Sequence, residues 1–556
     1  MSSLISLSSG DRAAFAVTSR LLACLVTESL LKALYIPLDS PSTVGACIVL
    51  SKEASSAPLP IEKPYRAADI FVIIPLQTVP VLKSSNNVST NEEIGLIDPL
   101  DMLPWIFEVY NDPNRNSDLT HDLPGVILSN LPLTQYDFTE DTTLSLSLDP
   151  IHLWSKFSAE MQLSSDNQEA VTEELKSSFE WQKHAYENCP SRPTFQSSSI
   201  EWEQALVEGH PTHPMHRARR TIAPLPSVKP GQYNYYFPHL RFVTIPRDNL
   251  LIQGNFEDSI GPLRDSAAKH AGKPLEVSSD LVLLPIHELQ ISNIVEKFIG
   301  AIVLPEEYRV LAPAQASIRT LSLPCSPHLS LKVAVGIKIS SALRTISHFT
   351  AYSGPKFGRD VAPHLHIDPE VLVIENEIAS VVHKHEDPDV AKHCTVMLRE
   401  MYSGEERNER VIMAAVLAES AYDEEFGVPA VVTTFGLDTE EKKFVFLEQY
   451  VNLVFDAFIP PLLIDGIAFE AHGQNTVVRF DKSTGKLKGF VFRDFGGMRV
   501  HKPTLEAATG VKMDTLPDHC IVVSDVNEAY KRLYHTLIHS HLQRLIRVLG
   551  FHHNSK

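Results

Sequence analysis

Residues 469–497 read FEAHGQNTVVRF (469–480), DKSTGK (481–486) and LKGFVFRDFGG (487–497). Two runs rich in Val and Phe flank a polar, glycine-containing segment, the pattern of a β-hairpin. With the turn centred between Ser483 and Thr484, Phe480 faces Leu487. The same register sets Asp494 opposite Gly473, between His472 and Asn475. Glu470 and His472 lie two apart and share a strand face. Glu470, Asn475 and Asp494 then converge from adjacent strands, and oxygen ligands on one patch suit Mg²⁺ better than zinc. Gly496 and Gly497 let backbone come close to a ligand. The plain alternative is a surface hairpin with incidental polar residues. The apolar neighbours argue that it is at least half buried, where carboxylates without a role are costly.

Working outward, EEKKFVFLEQYVNLVFDAFIPPLLIDG (440–466) reads as a long helix ended by Pro460 and Pro461. Downstream, NEAYKRLYHTLIHSHLQRLIRVLG (527–550) repeats Leu533, Leu537, Ile538, Leu542, Leu545, Ile546 and Leu549, an amphipathic helix with one buried face. Residues 370–425 carry helical patterns, with HKHEDPDVAKH (383–393) as a turn between them. The alternating runs FVTIP, LVLLPI and LKVAVGIKIS predict a mostly antiparallel sheet further upstream. Along the last of these, Lys332 shares a face with Ala334 and Gly336. The Pro- and Ser-rich NCPSRPTFQSSS (188–199) marks a boundary, preceded by a solvated helix over 164–187. Short apolar runs such as ACIVL, DIFVIIPL and GVILSNLPL mix strand, loop and helix over 40–145, and 11–35 reads as helix.

Two further clusters carry chemistry. GHPTHPMHRARR (209–220) holds His210 and His213 in a loop that Pro211 and Pro214 keep from becoming a regular helix. Arg217, Arg219 and Arg220 follow, and such a cluster suits a polycarboxylate or a phosphate. A Pro-rich loop with incidental histidines is the competing view. The second cluster is Ser317, Arg319 and Thr320 in ASIRTL, Lys332 in LSLKVAV, and Ser340, Ser341 and Arg344 in KISSALRT. Donors of this kind clamp a triphosphate and a carboxylate, unless they are surface residues at strand ends.

The 556 residues are 44% apolar and 21% charged, ordinary for globular domains. Against 49 basic side chains stand 68 acidic ones, a net charge of −19, which argues against a surface built for nucleic acid or anionic membrane. Six scattered cysteines without a CxxC pair fit a reducing cytosol. The apolar stretch near the start is interrupted by Arg20, Glu28 and Lys32 and lacks a basic leader, so it is read neither as a membrane span nor as a signal peptide.

Over roughly residues 195–550 the chain resembles the NRPS-independent siderophore (NIS) synthetases, the IucA/IucC family, a fungal-type member included. The resemblance is carried by GHPTHP (209–214), PIHELQ (285–290), SIRT (317–320), Lys332, KISSALRT (338–345) and EAHGQN through RDFGG (470–497), in that order. It implies an α+β, cupped-hand architecture of thumb, fingers and palm. The thumb-like domain would span 1–190. Fingers with a mostly antiparallel sheet, for ATP and carboxylate, would span 191–390. A helical palm carrying the hairpin would span 391–556. It further implies an ATP- and Mg²⁺-dependent ligase that adenylates a carboxylic acid, citrate or a derivative, and joins it to an amine, amino acid or hydroxyl nucleophile in siderophore or related secondary metabolism. By this resemblance Ser317, Arg319, Thr320 and Lys332 hold ATP phosphates. His210, His213, Ser340, Arg344 and His472 hold the acid, Glu470, Asn475 and Asp494 bind Mg²⁺, and His472, Arg344 and Lys332 act in catalysis. The expected setting is cytoplasmic, with no nucleic-acid or membrane partner and with room for a homodimer.

The chain departs from the family pattern at Arg217, where Lys is frequent, and at Thr221, where Gly is frequent. It also departs at Glu288-Leu289 in PIHELQ and at Ser340 in place of Thr. Two other readings compete: a catalytically silent carboxylate-binding homologue, and a metal-dependent hydrolase using the histidine loop.

Overall fold

The computed structural model describes residues 7–57, 63–83, 91–111, 123–340, 342–423 and 427–552. Ser341 of the KISSALRT segment lies outside these. The protein is α+β, and its strands pair antiparallel except where Leu372–Ile374 runs parallel to Leu487–Phe492.

The amino-terminal helix spans Ser9–Thr27, capped by Ser8, whose side chain accepts from the Asp11 amide. It is shorter than the expected 11–35. Ser29 takes a positive φ of 59° and Ala33–Ser40 is a strand. The alternation explains the difference. Ala33 and Tyr35 enter one core, while Leu34 and Ile36 enter another on the opposite face. A strand buried on both faces has the unbroken apolar run that a buried helix also has. The strand joins a seven-stranded sheet with Thr43–Leu50 and Ile70–Leu76 near its centre. The GVILSN stretch is helical, over Leu123–Asn130.

A second core lies between two antiparallel sheets. One contains His239–Pro246 and Leu281–His287; the other runs in the order Leu250–Gln253, Glu377–His383, Thr395–Glu400, Leu329–Val333 and Thr320–Ser322. The helical expectation for 370–425 is therefore wrong for most of that stretch. EIASVVH and TVMLRE are central strands whose residues are nearly all buried, and only Pro388–Ala391 and a few other short turns are helical. LKVAVGIKIS is broken too. Its strand ends at Val333, Gly336 adopts φ 70°, and Ile337–Ile339 joins a different sheet beside Arg219–Thr221. Lys332 thus shares no strand with Gly336.

The third and largest core gathers Trp202, Ile412, Tyr450, Phe458, Phe490, Phe492 and Leu537. Its long helix spans Glu440–Leu463 and continues past both prolines. Their nitrogens donate nothing, but the Pro460 and Pro461 carbonyls still accept from Ile464 (2.9 Å) and Asp465 (3.2 Å). The hairpin strands are Thr476–Asp481 and Leu487–Phe492. Phe480 faces Leu487 as expected, but a bulge next to it pairs Arg479 with Gly489 and shifts every later pair by one. Gly489 is required there, because a Cβ would stand 2.3 Å from the Val371 carbonyl oxygen. Asp494 is consequently not opposite Gly473. It lies past the strand end with φ 73°.

The carboxy-terminal helix runs Val526–Leu533, then a π-helical segment Tyr534–Leu542, then Gln543–Leu549. Leu533, Leu537, Leu542, Leu545 and Leu549 are buried. The five-residue step from Leu537 to Leu542 is what the wider π turn absorbs. This helix is tied to the amino-terminal region: Arg547 donates to Asp101 at 2.8 Å, and Asp98 lies 3.7 Å from it. Among the described residues no helix is long and apolar enough to cross a membrane.

Candidate active site

The strand Leu329–Val333 places Lys332 directly across from Thr320. Ser317 completes this corner: its hydroxyl donates to Thr320 Oγ1 (3.1 Å) and accepts from the Thr320 amide (3.3 Å). Between them the buried Ile318 has φ 55°. A β-branched residue in left-handed backbone is strained, and here the strain turns the loop so that Ser317 and Arg319 face the same way. Arg319 Nη1 is anchored on the Thr345 carbonyl at 2.5 Å. Ser340 also has positive φ, 53°, at the turn that leads to Arg344.

These residues form one wall of a cavity of about 800 Å³. All twelve residues to which the resemblance gives a role line it: His210, His213, Ser317, Arg319, Thr320, Lys332, Ser340, Arg344, Glu470, His472, Asn475 and Asp494; of the arginines after the histidine loop, Arg217 and Arg219 line it and Arg220 does not. Glu288 and Leu289 do not line it; Glu288 instead accepts from Tyr233 and from the His239 amide.

The charge on this wall is the reverse of the chain's. The whole cavity lining carries ten Lys and Arg side chains against four Asp and Glu, a surplus of six; among those cations Lys392, Arg399 and Arg493 are ion-paired to Asp389, Glu375 and Glu203 outside the lining. Burial and the charge of neighbouring Arg319 push Arg344 down to about 10. Burial lowers Lys332 as well, with Arg319 adding to it against the pull of Asp494. Lys332 Nζ is 2.7 Å from Asp494 Oδ2. Burial alone would raise the Asp494 carboxyl, but Lys332 and Arg319 outweigh it and hold it far below the usual carboxylate range. The cluster is short of negative charge, a condition an incoming anion relieves.

Three histidines present the same face. His210 Nδ1 accepts from the amides of Thr212 (3.3 Å) and His213 (3.2 Å), His213 Nδ1 accepts from Met215 (3.1 Å), and His472 Nδ1 accepts from Gln474 (3.3 Å) and Asn475 (3.4 Å). With Nδ1 an acceptor, each neutral ring carries its proton on Nε2. Burial pushes all three down, His210 to about 3 with help from His213, Arg20, His472 and His535. These imidazoles are neutral donors suited to carboxylate or phosphate oxygens.

The hairpin contributes Glu470, which faces Arg532 at 3.3 Å. Asn475 Nδ2 donates to the Glu470 carbonyl, leaving its Oδ1 available. Gly497 lets the Glu470 carboxylate lie where a Cβ would stand, only 1.8–2.5 Å away. The two carboxylates and the amide oxygen line one cavity and are hard donors of the kind Mg²⁺ takes. Among the described residues no group of three or more His, Cys, Asp or Glu is arranged to hold a metal ion.

Sequence reasoning missed the contribution of the last helix. Arg532, His535 and Arg544 line the cavity, though their polar positions read as solvated. The signal was the i, i+3 pair Arg532–His535 on an otherwise leucine-faced helix. It also missed Arg20, which donates to the His210 carbonyl (3.0 Å) and to Glu208 (2.7 Å), so the first helix braces the histidine loop.

The profile of the IucA / IucC family matches residues 198–419. That of the ferric iron reductase FhuF-like transporter family matches residues 445–554. The NRPS-independent siderophore synthetase rfs of Rhizopus delemar is 39% identical over 98% of this chain and 88% of its own length. The chain belongs to the NIS synthetase family. This synthetase is also 22% identical to the D-ornithine–citrate ligase of Staphylococcus aureus, over 64% of the chain and 58% of that protein. Its fold matches the ATP-bound aerobactin synthetase IucA of Klebsiella pneumoniae with a TM-score of 0.65 at 13% identity, covering 98% of this chain and 88% of that one. As a family member the synthetase is a ligase.

Proposed function

We propose that the synthetase activates citrate, or a close polycarboxylate relative, as an acyl-adenylate with ATP and Mg²⁺, and passes the acyl group to an amine or hydroxyl nucleophile in the cytoplasm. The observation that carries this is the excess of Lys and Arg over Asp and Glu in the cavity lining, which persists after the ion pairs behind it are counted, in a chain of net charge −19. Such a pocket suits two strongly anionic ligands at once. We assign Ser317, Arg319, Thr320 and Lys332 to the ATP phosphates, and His210, His213, Ser340, Arg344 and His472 to the acid. We read residues 1–190, 191–390 and 391–556 as thumb, fingers and palm, with Thr395–Glu400 of the last range completing the sheet of the second.

A carboxylate is a poor electrophile because its leaving group would be oxide. Attack of the carboxylate oxygen on the α-phosphorus gives a mixed anhydride and releases pyrophosphate, so that AMP becomes the leaving group. Negative charge grows on the phosphoryl oxygens, where Arg319, Lys332 and the Nε2–H of His472 act as preorganised donors. Glu470, Asn475 and Asp494 would hold Mg²⁺, which supplies charge neutralisation at the phosphates. Arg344 orients the acid by charge-assisted hydrogen bonds.

The test is to supply ATP, Mg²⁺ and citrate and trap with hydroxylamine. Hydroxamate together with pyrophosphate release is expected. Failure with citrate and with every related di- and tricarboxylic acid would refute the substrate class. Citrate binding with neither pyrophosphate release nor hydroxamate would favour the silent homologue.

A further inference from the structure

Joining an alkylamine to an acyl-adenylate needs a proton acceptor, because an alkylammonium, with a pKa of about 10.4 like that of lysine, has no lone pair at neutral pH. The cavity holds six histidines and four carboxylates that could serve. Hydrogen bonding disqualifies nearly all of them. His210, His213 and His472 have their Nδ1 lone pairs committed to backbone amides and offer only N–H donors. His541 is fully engaged: Nδ1 donates to the Ala471 carbonyl (3.1 Å), and Nε2 receives the Tyr450 hydroxyl (2.7 Å). His216 is buried between the Pro214 carbonyl and Gln182. Among the carboxylates, Asp494 is paired with Lys332, Glu470 with Arg532 and Glu208 with Arg20. Glu419 accepts four backbone amides, those of Val207, Glu208, Ser420 and Ala421. Glu377, pushed up to about 7 by burial, lies behind the wall with no exposed surface.

One imidazole remains. His535 lines the cavity from the π-helical segment, its side chain is exposed, and among the described residues its ring nitrogens have no hydrogen-bond partner. Its ring stacks on that of His539, with centroids 5.7 Å apart and planes at 24°. The π turn fixes this placement. Thr536 donates to the Arg532 carbonyl and Ser540 to that of His535, so the widened turn is pinned on both sides of the ring. The charged and titratable groups around it are Arg532 and its partner Glu470, His539 on its own segment, and His210 with Arg20 behind it on the facing loop.

We infer that His535 is the base that deprotonates the incoming nucleophile in the condensation step. The inference rests on the adenylating-ligase reading above. His535 takes one proton from R–NH₃⁺, and the freed lone pair attacks the acyl carbon. The C–N bond forms as the carbonyl π pair moves to oxygen. The C–O bond to AMP then breaks, AMP leaving with the electron pair, and the second N–H proton passes to water. His535 acts on the reacting nitrogen and is therefore a catalytic residue, distinct from the donor histidines opposite it.

The experiment compares two nucleophiles on the full-length protein with ATP, Mg²⁺ and citrate. Hydroxylamine is neutral at pH 7 and needs no prior deprotonation. The second is whichever of ethylenediamine, 1,4-diaminobutane, L-ornithine and ethanolamine the wild type turns over fastest. In His535→Ala and His535→Gln the amide- or ester-forming rate should fall about 10²–10⁴-fold, the range typical of a lost general base. Hydroxamate formation should fall less than about tenfold. Added imidazole should restore part of the lost rate in His535→Ala but not in the bulkier His535→Gln. A parallel fall of both rates, full retention of the condensation rate, or loss of folding in both variants would each overturn the assignment. Absence of hydroxamate from the wild type would instead refute the ligase reading on which it rests.

Discussion

The Lys332–Asp494 pair offers a sharp test because its two members sit in unequal surroundings. Lys332 is 3% exposed, whereas the Asp494 side chain keeps 25% of its surface. At 2.7 Å the direct attraction is about 6 kcal/mol for an effective dielectric of about 20. Desolvation of the ammonium offsets much of that, which is why Lys332 remains below its ordinary range despite its partner. Asp494→Asn removes the anion and leaves a buried ammonium beside Arg319, a change of the kind that costs about 3–5 kcal/mol. At no more than about 2–4 °C per kcal/mol, the value for about 150–250 residues, the melting midpoint should fall by at most about 6–20 °C. Lys332→Met should cost less, because Asp494 can reach water. The double variant should recover at least half of the Asp494→Asn loss, since neither charge is then stranded. Thermal melts of the four proteins at pH 7 without ligand measure this directly. If the two single effects simply add, the pair is not coupled and the charge assignment of the wall fails.

Three other outcomes follow from the same geometry. Arg344→Ala should raise the apparent KM for the acid about 30-fold or more, with a much smaller effect on ATP, as measured by pyrophosphate release against each substrate. Glu470→Gln should shift the Mg²⁺ dependence of pyrophosphate release to higher concentration, with high Mg²⁺ restoring part of the rate by mass action; an unshifted titration would remove Glu470 from the metal set. Burial pushes His287 to about 3 and His541 to about 4. Both lie below the unfolded value, so the unfolded chain takes up protons first as pH falls. Stability is then fully present above about 6.5 and declines between about 6.5 and 4 at about 1.4 kcal/mol per pH unit for each group. Melting midpoints that stay level from pH 7 to pH 5 would contradict this.

The hairpin was readable because Phe480, the turn residues and Leu487 specify register locally. The bulge beside Phe480 was not, since it goes with the close approach of Gly489 to the Val371 carbonyl, 118 positions away in the chain. The residues of the phosphate corner were legible as types, and their convergence depends on Lys332 standing opposite Thr320. The strands at 377–383 and 395–400 were missed because residues buried on both faces lose the alternation that marks a strand. His535 and Arg544 were hidden for a related reason: a polar helix face looks the same whether it meets solvent or a ligand cavity. The π turn that aims His535 has no signature beyond the five-residue step between Leu537 and Leu542.

The bond between Asp101 and Arg547 spans 446 residues, and its consequence is temporal. Asp98 and Asp101 emerge from the ribosome early, and both become buried acids. At about 5–20 residues per second, their guanidinium partner follows roughly 20–90 s later. For that interval the first sheet must either stay open around those carboxylates or hold them protonated or hydrated. Final docking of the amino-terminal region therefore waits for the last helix, the same helix that carries Arg532, His535 and Arg544 into the cavity. Docking of the amino-terminal region and completion of the cavity wall then become a single event, and neither precedes the helix that carries Arg547.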